Sequence, residues 1–288
     1  MTTYTMGSAI VVGGSLSGLT TATTLARKGI QVTVLERLRG RRQPGAGLGV
    51  NLSLLERMTG RDPSMGTVTV PVITSNRDSA SWQALYDWLR WVVSSTPGIM
   101  VQEGAEVREV QQDEDGTLVV TMDGTTYRAD IVIGADGYRS VTRPVVNPGH
   151  PEATYAGYML WRGLCSEATM PATTQWARAS AGVQVLHYKR YRLVAYPVPG
   201  PDGSVVEGKR QISWAWYDAG RADLLRQLGC LVGSTVQRTV DASILPESIF
   251  AELRNLAQNW PAPWPASILH TLDQRSIFGT SIAEYLPE

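Results

Sequence analysis

Gly13-Gly14-Ser15-Leu16-Ser17-Gly18 lies between a continuous apolar run, Ala9-Ile10-Val11-Val12, and a segment with helical spacing. A chain that turns tightly from a strand into a helix can hold a pyrophosphate against its backbone. Gly13 suits the tight turn, and Gly18 suits close packing of the helix on the strand. Ser15 stands where the middle glycine of such a loop belongs, and its hydroxyl can donate to a phosphate oxygen. The amides of Leu16, Ser17 and Gly18 would face the same anion from the helix N-terminus. Glu36 closes a second apolar run, about twenty residues downstream, where an acidic side chain binds ribose hydroxyls. Arg37 follows at once and is the expected adenosine-side contact. Arg37, Arg39, Arg41 and Arg42 share a glycine-rich loop, and their charge suits nucleotide phosphates.

A second constellation is Gly134-Ala135-Asp136-Gly137-Tyr138-Arg139-Ser140-Val141-Thr142-Arg143. It ends the buried-type strand pattern at 130–134 in a carboxylate, followed by glycine, serine and arginine. By itself such a segment reads either as a capped strand-end turn or as part of a binding site.

These residues need a frame. The apolar run 9–12 and the buried-type segment 130–134 (Asp-Ile-Val-Ile-Gly) suit strands of a parallel sheet. Leu19, Ala22, Leu25 and Ala26 recur at helical spacing over 16–28, with Gly29 as the stop. Residues 31–35 complete a strand–turn–helix–strand unit. Residues 67–73 read as an edge strand broken by Pro71, and 79–94 as a helix. Short strands at 105–111 and 117–122 flank a turn. Beyond Pro148 the pattern is β and aromatic, with strands expected at 154–164, 182–188, 192–198 and 209–217. Helices are expected at 221–228 and 247–259. Residues 260–265, rich in proline, cannot form a helix interior.

The fold class expected is α/β: a Rossmann-type dinucleotide domain with a mainly antiparallel β-sheet plus helices as substrate domain. Residues 1–66 and 79–150 are assigned to the first domain, 67–78 and 151–278 to the second, and 279–288 to a return to the first. Composition narrows the class further. The 288 residues carry 26 Lys+Arg and 26 Asp+Glu, so the basic excess of a nucleic-acid binder is missing. Two cysteines, Cys165 and Cys230, form neither a disulfide framework nor a metal motif. Residues 1–8 lack the charged start of a secretion signal, and no run approaches the ~18 apolar residues of a membrane span. The expectation is a cytoplasmic protein without metal, membrane or nucleic-acid partner.

The loop at Gly13 and the GADGxxSxxR segment together resemble the flavoprotein aromatic hydroxylases. VVGGSLSGL, YAGYMLWRGL from Tyr155, LVAYPVPGPDGS from Leu193 and ISWAWYDAG from Ile212 are similar to their 2,6-dihydroxypyridine 3-hydroxylase-like branch. The resemblance runs over nearly the whole chain. It implies FAD, NAD(P)H and molecular oxygen, with hydroxylation of an electron-rich phenolic or hydroxylated heteroaromatic ring through a flavin hydroperoxide. It also implies that Asp136 lies near the FAD and the pyridine-nucleotide path, that Arg143 holds its segment, and that the backbone at Val107 meets the adenine.

Two departures accompany it. Residues 49–79 form a short connection where relatives fit an extra strand. No Gly-Asp dipeptide occurs in the 288 residues, although the family carries a third FAD motif of that kind near the flavin. The expectation is a truncated or short form that binds FAD weakly alone and works as a homodimer or with a partner chain. Other readings stay open here: an auxiliary nucleotide-binding protein without redox activity, or a flavoenzyme of another reaction class. For ring deprotonation, His187 in a predicted strand is the candidate base. Arg162 is a candidate guanidinium for an anionic substrate. Tyr188, Tyr196, Trp214, Trp216 and Tyr217 are candidates to line the pocket.

Overall fold

The computed structural model describes residues 7–40, 47–114, 116–171 and 182–286. Its first sheet grows from the apolar run at the N-terminus. β1 (Ser8–Val12) is buried from Ala9 onward. It pairs in parallel with β2 (Gln31–Glu36), Val11 opposite Val34, after the crossover helix α1 (Leu16–Ala26). β5 (Ile99–Glu103) joins β2 and β9 (Ile131–Gly134) joins β1, giving the order β5-β2-β1-β9. Its two central strands are covered on both faces, which is why β1 and the middle of β2 are rich in buried apolar residues. Ala22 of α1 packs on Val11 and Val34, and Leu19 packs against α3 (Trp82–Ser94). On the other face, Ile10, Val12 and Leu35 meet Val107, Val110 and Val119. These belong to a meander of β6 (Val107–Asp113), β7 (Gly116–Thr121) and β8 (Thr126–Ala129).

The second sheet has eight strands. β10 (Thr154–Ser166) pairs with β13 (Gln211–Ala219) on one side and β17 (Phe278–Glu284) on the other. β12 (Tyr191–Val198) and β11 (Gln184–Tyr188) extend it beyond β13. The short strands β14 (Leu231–Val232), β15 (Thr235–Val236) and β16 (Val240–Asp241) complete it. Strand alternation sends Met159, Trp161, Leu193, Trp214 and Trp216 to one face. There they bury against Phe250 and Leu253 of α6 (Glu247–Ala257) and Ile268 and Leu272 of α7 (Trp264–Asp273). α5 (Ala222–Gln227) covers the same side through Leu225. The tryptophans thus build the core between sheet and helices. Trp161 donates its indole N–H to the buried Asp218 (2.9 Å), which also accepts from Arg221 Nε (2.6 Å); Arg221 in turn forks onto Glu252. Buried charges are tolerable only when paired in this way.

Two small strands, β3 (Gly47–Gly49) and β4 (Ser79–Ser81), bridge the two sheets. Gly47 N–H donates to Ser213 Oγ and Ser79 Oγ donates to the Pro197 carbonyl. Between them α2 (Leu52–Thr59) is capped by Asn51, whose side chain accepts from Leu54 N–H, and ends at Gly60 in the left-handed region. The Asn and Gly that frame it are sequence signals the expectations above omit, as are α7 and β5. The edge strand expected at 67–73 does not form. Val70, Val68 and Val72 instead pack against α3, and Ile73 makes a single bridge to Ser79. Pro71 has no N–H for a ladder, and burial of the valines decides the path. The expected return of 279–288 to the first domain is also corrected. β17 stays in the second sheet, where Gly279 lets it close on Met159 and Trp161: a Cβ there would lie 2.3 Å from Met159 Cε. α4 (Arg143–Val146) leads from the first sheet to the second.

Candidate active site

The C-terminal ends of β1, β2 and β9 open onto a cleft of about 350 Å³. Gly13, Ser15, Ser17, Glu36, Arg37, Val107 and Asp136 all line it, with Ala105, Tyr138 and Arg139. This brings together most residues selected from sequence. The glycine turn is dictated by space. Gly13 has φ 103°, and a Cβ there would sit 2.4 Å from the Ala135 carbonyl oxygen; one at Gly18 would lie 1.8 Å from the Gly13 oxygen. Leu16 and Gly18 do not line the cleft. Leu16 packs toward the core around α3, and Gly18 is buried under Gly13. Their contribution is confined to the amides of the first helical turn.

Ser15 is the N-cap of α1, yet its side chain makes no capping bond. The first turn of the helix is thus not capped by the Ser15 side chain, and Ser15 and Ser17 line the cleft. That is the arrangement a phosphate completes. Glu36, only 3% exposed, accepts from Gly14 N–H through Oε2 (2.8 Å) and from Leu38 N–H through Oε1 (2.9 Å). A carboxylate has more acceptor sites than these two bonds use, and a ribose hydroxyl is a suitable donor to it. The residues thus fit the adenosine diphosphate half of FAD. Arg37 is exposed at the rim; Arg41 and Arg42 lie outside the described residues.

Asp136 has a more internal task than its motif implies. Its carboxylate accepts from Val141 N–H (2.9 Å), Thr142 N–H (3.1 Å) and the Thr142 hydroxyl, folding its own segment into a closed loop. Arg143 does not reach the cleft. Its guanidinium donates to the carbonyls of Gly137 (2.7 Å), Tyr138 (3.2 Å) and Pro151 (3.4 Å), and lies 4.7 Å from the Tyr285 ring centroid. Arg139 lines the cleft and donates to the Gln237 carbonyl, tying the cleft to the second sheet. Its place in the DGYRS segment was a signal available to sequence reading.

Next to that tie is a larger cavity of about 710 Å³. Gly47, Leu48 and Trp82 form one wall; Arg162, Asp241, Arg275 and Ser276 are on the other. Trp82 stacks on Tyr86 with centroids 4.9 Å apart. Arg275 is held by Glu247 and lies over the Phe250 ring. Asp241 accepts from Ser243 N–H and Oγ, which hold its carboxyl below the usual range. Arg162 differs: its Nε is buried without a hydrogen-bond partner. Tyr196 is nearby, its phenol pushed up by burial although Ser213 and Arg162 oppose that.

His187 is not in this cavity. It is exposed on β11, opposite Arg192, so the expectation of a catalytic base there is not supported by its position. Trp214 and Trp216 are core residues on the helix side, as Tyr188 is at its border. Burial raises the Cys165 thiol to about 11, and both cysteines are unpaired. Among the described residues no cluster could hold a metal ion, and no helix is long and apolar enough to cross a membrane.

The comparisons with known proteins point to the FAD-dependent monooxygenases. A family model described as an FAD binding domain matches residues 7–61, and one described as FAD binding domain-like matches 155–277. The chain is 29% identical to a 2,6-dihydroxypyridine 3-monooxygenase of Paenarthrobacter nicotinovorans, over 93% of this chain and 73% of that one. The solved 2,6-dihydroxypyridine-3-hydroxylase from Arthrobacter nicotinovorans superposes with a TM-score of 0.79 at 23% identity, covering 99% of this chain and 74% of that one. Klebsiella pneumoniae HpxO complexed with FAD and uric acid gives a TM-score of 0.65 at 21% identity, over 96% and 68% of the two chains. Over nearly its whole length the chain is similar to FAD-dependent aromatic hydroxylases, the dihydroxypyridine hydroxylases among them.

Proposed function

We propose that this chain hydroxylates an electron-rich, anionic hydroxylated ring, using FAD reduced by NAD(P)H. The observation that carries the reading is the buried, unpartnered Nε of Arg162 in the cavity beside the FAD cleft. A buried guanidinium donor without a partner is costly, and a phenolate or deprotonated heteroaromatic oxygen supplies the acceptor. Bound FAD supplies the redox chemistry and activates molecular oxygen for transfer of one atom to the ring.

The protein's own residues do the rest. Ser15 and the first amides of α1 hold the pyrophosphate, Glu36 the ribose, and the Val107 backbone the adenine. Asp136 keeps the loop that walls the cleft closed through Val141 and Thr142. Arg162 stabilises the ring anion, which makes its carbon a better nucleophile, and Trp82 offers a flat surface for the ring. Walls of Leu48, Trp82, Ile277 and Phe278 limit water. A cytoplasmic location agrees with the two unpaired cysteines. Self-association through the exposed Val146 and Leu286 is part of the same proposal.

The test is substrate-dependent NADPH and oxygen consumption, with 2,6-dihydroxypyridine and hydroxybenzoates as probes and FAD in excess. Arg162→Leu is expected to raise the KM for the anionic ring about tenfold or more, with FAD affinity unchanged. Equal KM values for Arg162→Leu and wild type would overturn the assignment of Arg162.

A further inference from the structure

We propose that the β11–β12 hairpin and the aromatic pair beside it dock the reduced pyridine dinucleotide that serves as electron donor. The inference rests on the hydroxylase reading, which needs such a donor. It begins with charge. Residues 187–192 read His-Tyr-Lys-Arg-Tyr-Arg, and no Asp or Glu occurs between Glu167 and Asp202. The structure does not neutralise this run. Many arginines of the chain pair with carboxylates, Arg90, Arg128, Arg210, Arg221 and Arg254 among them. Among the described residues, Lys189 and Arg192 have no ion-pair partner, and the His187 imidazole has no carboxylate beside it. All three are exposed.

Register then places two of them on the face that matters. Cross-strand partners share a face of a sheet. His187 stands opposite Arg192, Arg192 opposite Tyr217, and Tyr217 opposite Leu160. Leu160 precedes Arg162 by two residues, so this row lies on the face that carries Arg162. The helices cover the opposite face. Arg192 and Arg162 are two strands and two residues apart, about 12 Å from strand spacing and rise. A dinucleotide with phosphates on Arg192 and His187 can therefore extend one ring toward the cavity.

The same row supplies a stacking surface. The Arg192 guanidinium lies 5.4 Å from the Tyr217 ring centroid, and Tyr217 stacks on Tyr158 at 5.8 Å and 21°. Both tyrosines are only half-buried. The Arg192 guanidinium and the His187 imidazole beside stacked rings match the two chemical parts of a nucleotide, its phosphates and its flat base. At the far end of this face, β3 covers the sheet: Gly47 sits against Tyr196, Val198 and Ser213. The open end is the end that carries His187 and Arg192.

NADP+ tests the site without reducing the flavin. It is titrated calorimetrically into the chain with saturating FAD. The double variant His187→Gln/Arg192→Gln is expected to bind NADP+ about ten- to hundredfold more weakly, as for loss of charge-assisted bonds. In stopped flow, the NADPH concentration giving half-maximal flavin reduction should rise by the same factor, with the limiting rate unchanged. Tyr217→Leu should weaken NADP+ binding several-fold, and Arg226→Gln on α5 should not change it. Unchanged NADP+ affinity in the double variant, with wild-type reduction by NADPH intact, overturns the site alone. A wild-type chain that neither binds NADP+ nor is reduced by NADPH or NADH overturns the donor assignment and this site with it.

Discussion

Replacing Glu36 by glutamine separates the two tasks of that side chain. The carboxylate accepts from two backbone donors, Gly14 N–H at 2.8 Å and Leu38 N–H at 2.9 Å, in a site 3% exposed. A carboxamide has one oxygen, so its NH2 group must face one of those N–H groups. One buried donor then loses its acceptor, at a cost of about 1–3 kcal/mol. For a chain of this size that is roughly 2–4 °C in Tm per kcal/mol. The ribose hydroxyls also lose a charged acceptor, about 1.5–3 kcal/mol, which is roughly a ten- to hundredfold rise in the FAD Kd. Denaturant unfolding without FAD reads the first effect. FAD titration by fluorescence quenching reads the second, under conditions where both proteins are folded. Lower stability with unchanged FAD affinity would refute the ribose role and leave Glu36 a loop organiser. No change in either would refute the hydrogen-bond reasoning itself.

Gly13→Val should abolish FAD retention while leaving the second sheet's contribution to circular dichroism. The added Cβ meets the Ala135 oxygen at 2.4 Å in a backbone at φ 103°; a yellow, FAD-loaded variant would contradict this. Glu167 should govern part of the acid limb of stability. Burial alone would raise its carboxyl, but the hydrogen bond from Arg210, the Gly208 N–H and the Arg210 charge together hold it below the usual range. A depressed folded-state value means stability that is present above about pH 4.5, the unfolded range, and is lost as pH falls through the folded value. Wild type should therefore lose stability faster than Glu167→Gln on acidification below that point, seen as converging urea midpoints.

The strand, glycine turn and helix start that line the cleft over residues 8–36 were legible because they are set largely by local sequence. A buried strand, a glycine turn, a helix start and an acid at the next strand end are set by neighbouring residues and by space around the backbone. Gly18 beneath the Gly13 carbonyl is a local constraint, whereas the Ala135 carbonyl that closes on Gly13 comes from the distant β9 end. Strand alternation likewise marked the second sheet at 154–164, 192–198 and 209–217, close to the observed β10, β12 and β13. The resemblance of the DG segment carried Asp136 to the cleft, but its bonds to Val141 and Thr142 needed coordinates.

The rest depended on packing between distant segments. Residues 67–73 have strand composition, yet their valines gain more by burial on α3 than by a ladder that Pro71 interrupts. β17 follows β10 because Gly279 admits the close approach to Met159 and Trp161. The cavity joins Gly47, Trp82, Arg162, Asp241 and Arg275, which are spread over more than two thirds of the chain. No period in the sequence relates them. His187 shows the same limit: alternation put it on a strand, but only cross-strand register fixed which face it shares, and with which cation. Local sequence sets what the backbone can do at each point, whereas a pocket is a property of long-range contacts, and those appear only when the sheets and helices are packed together.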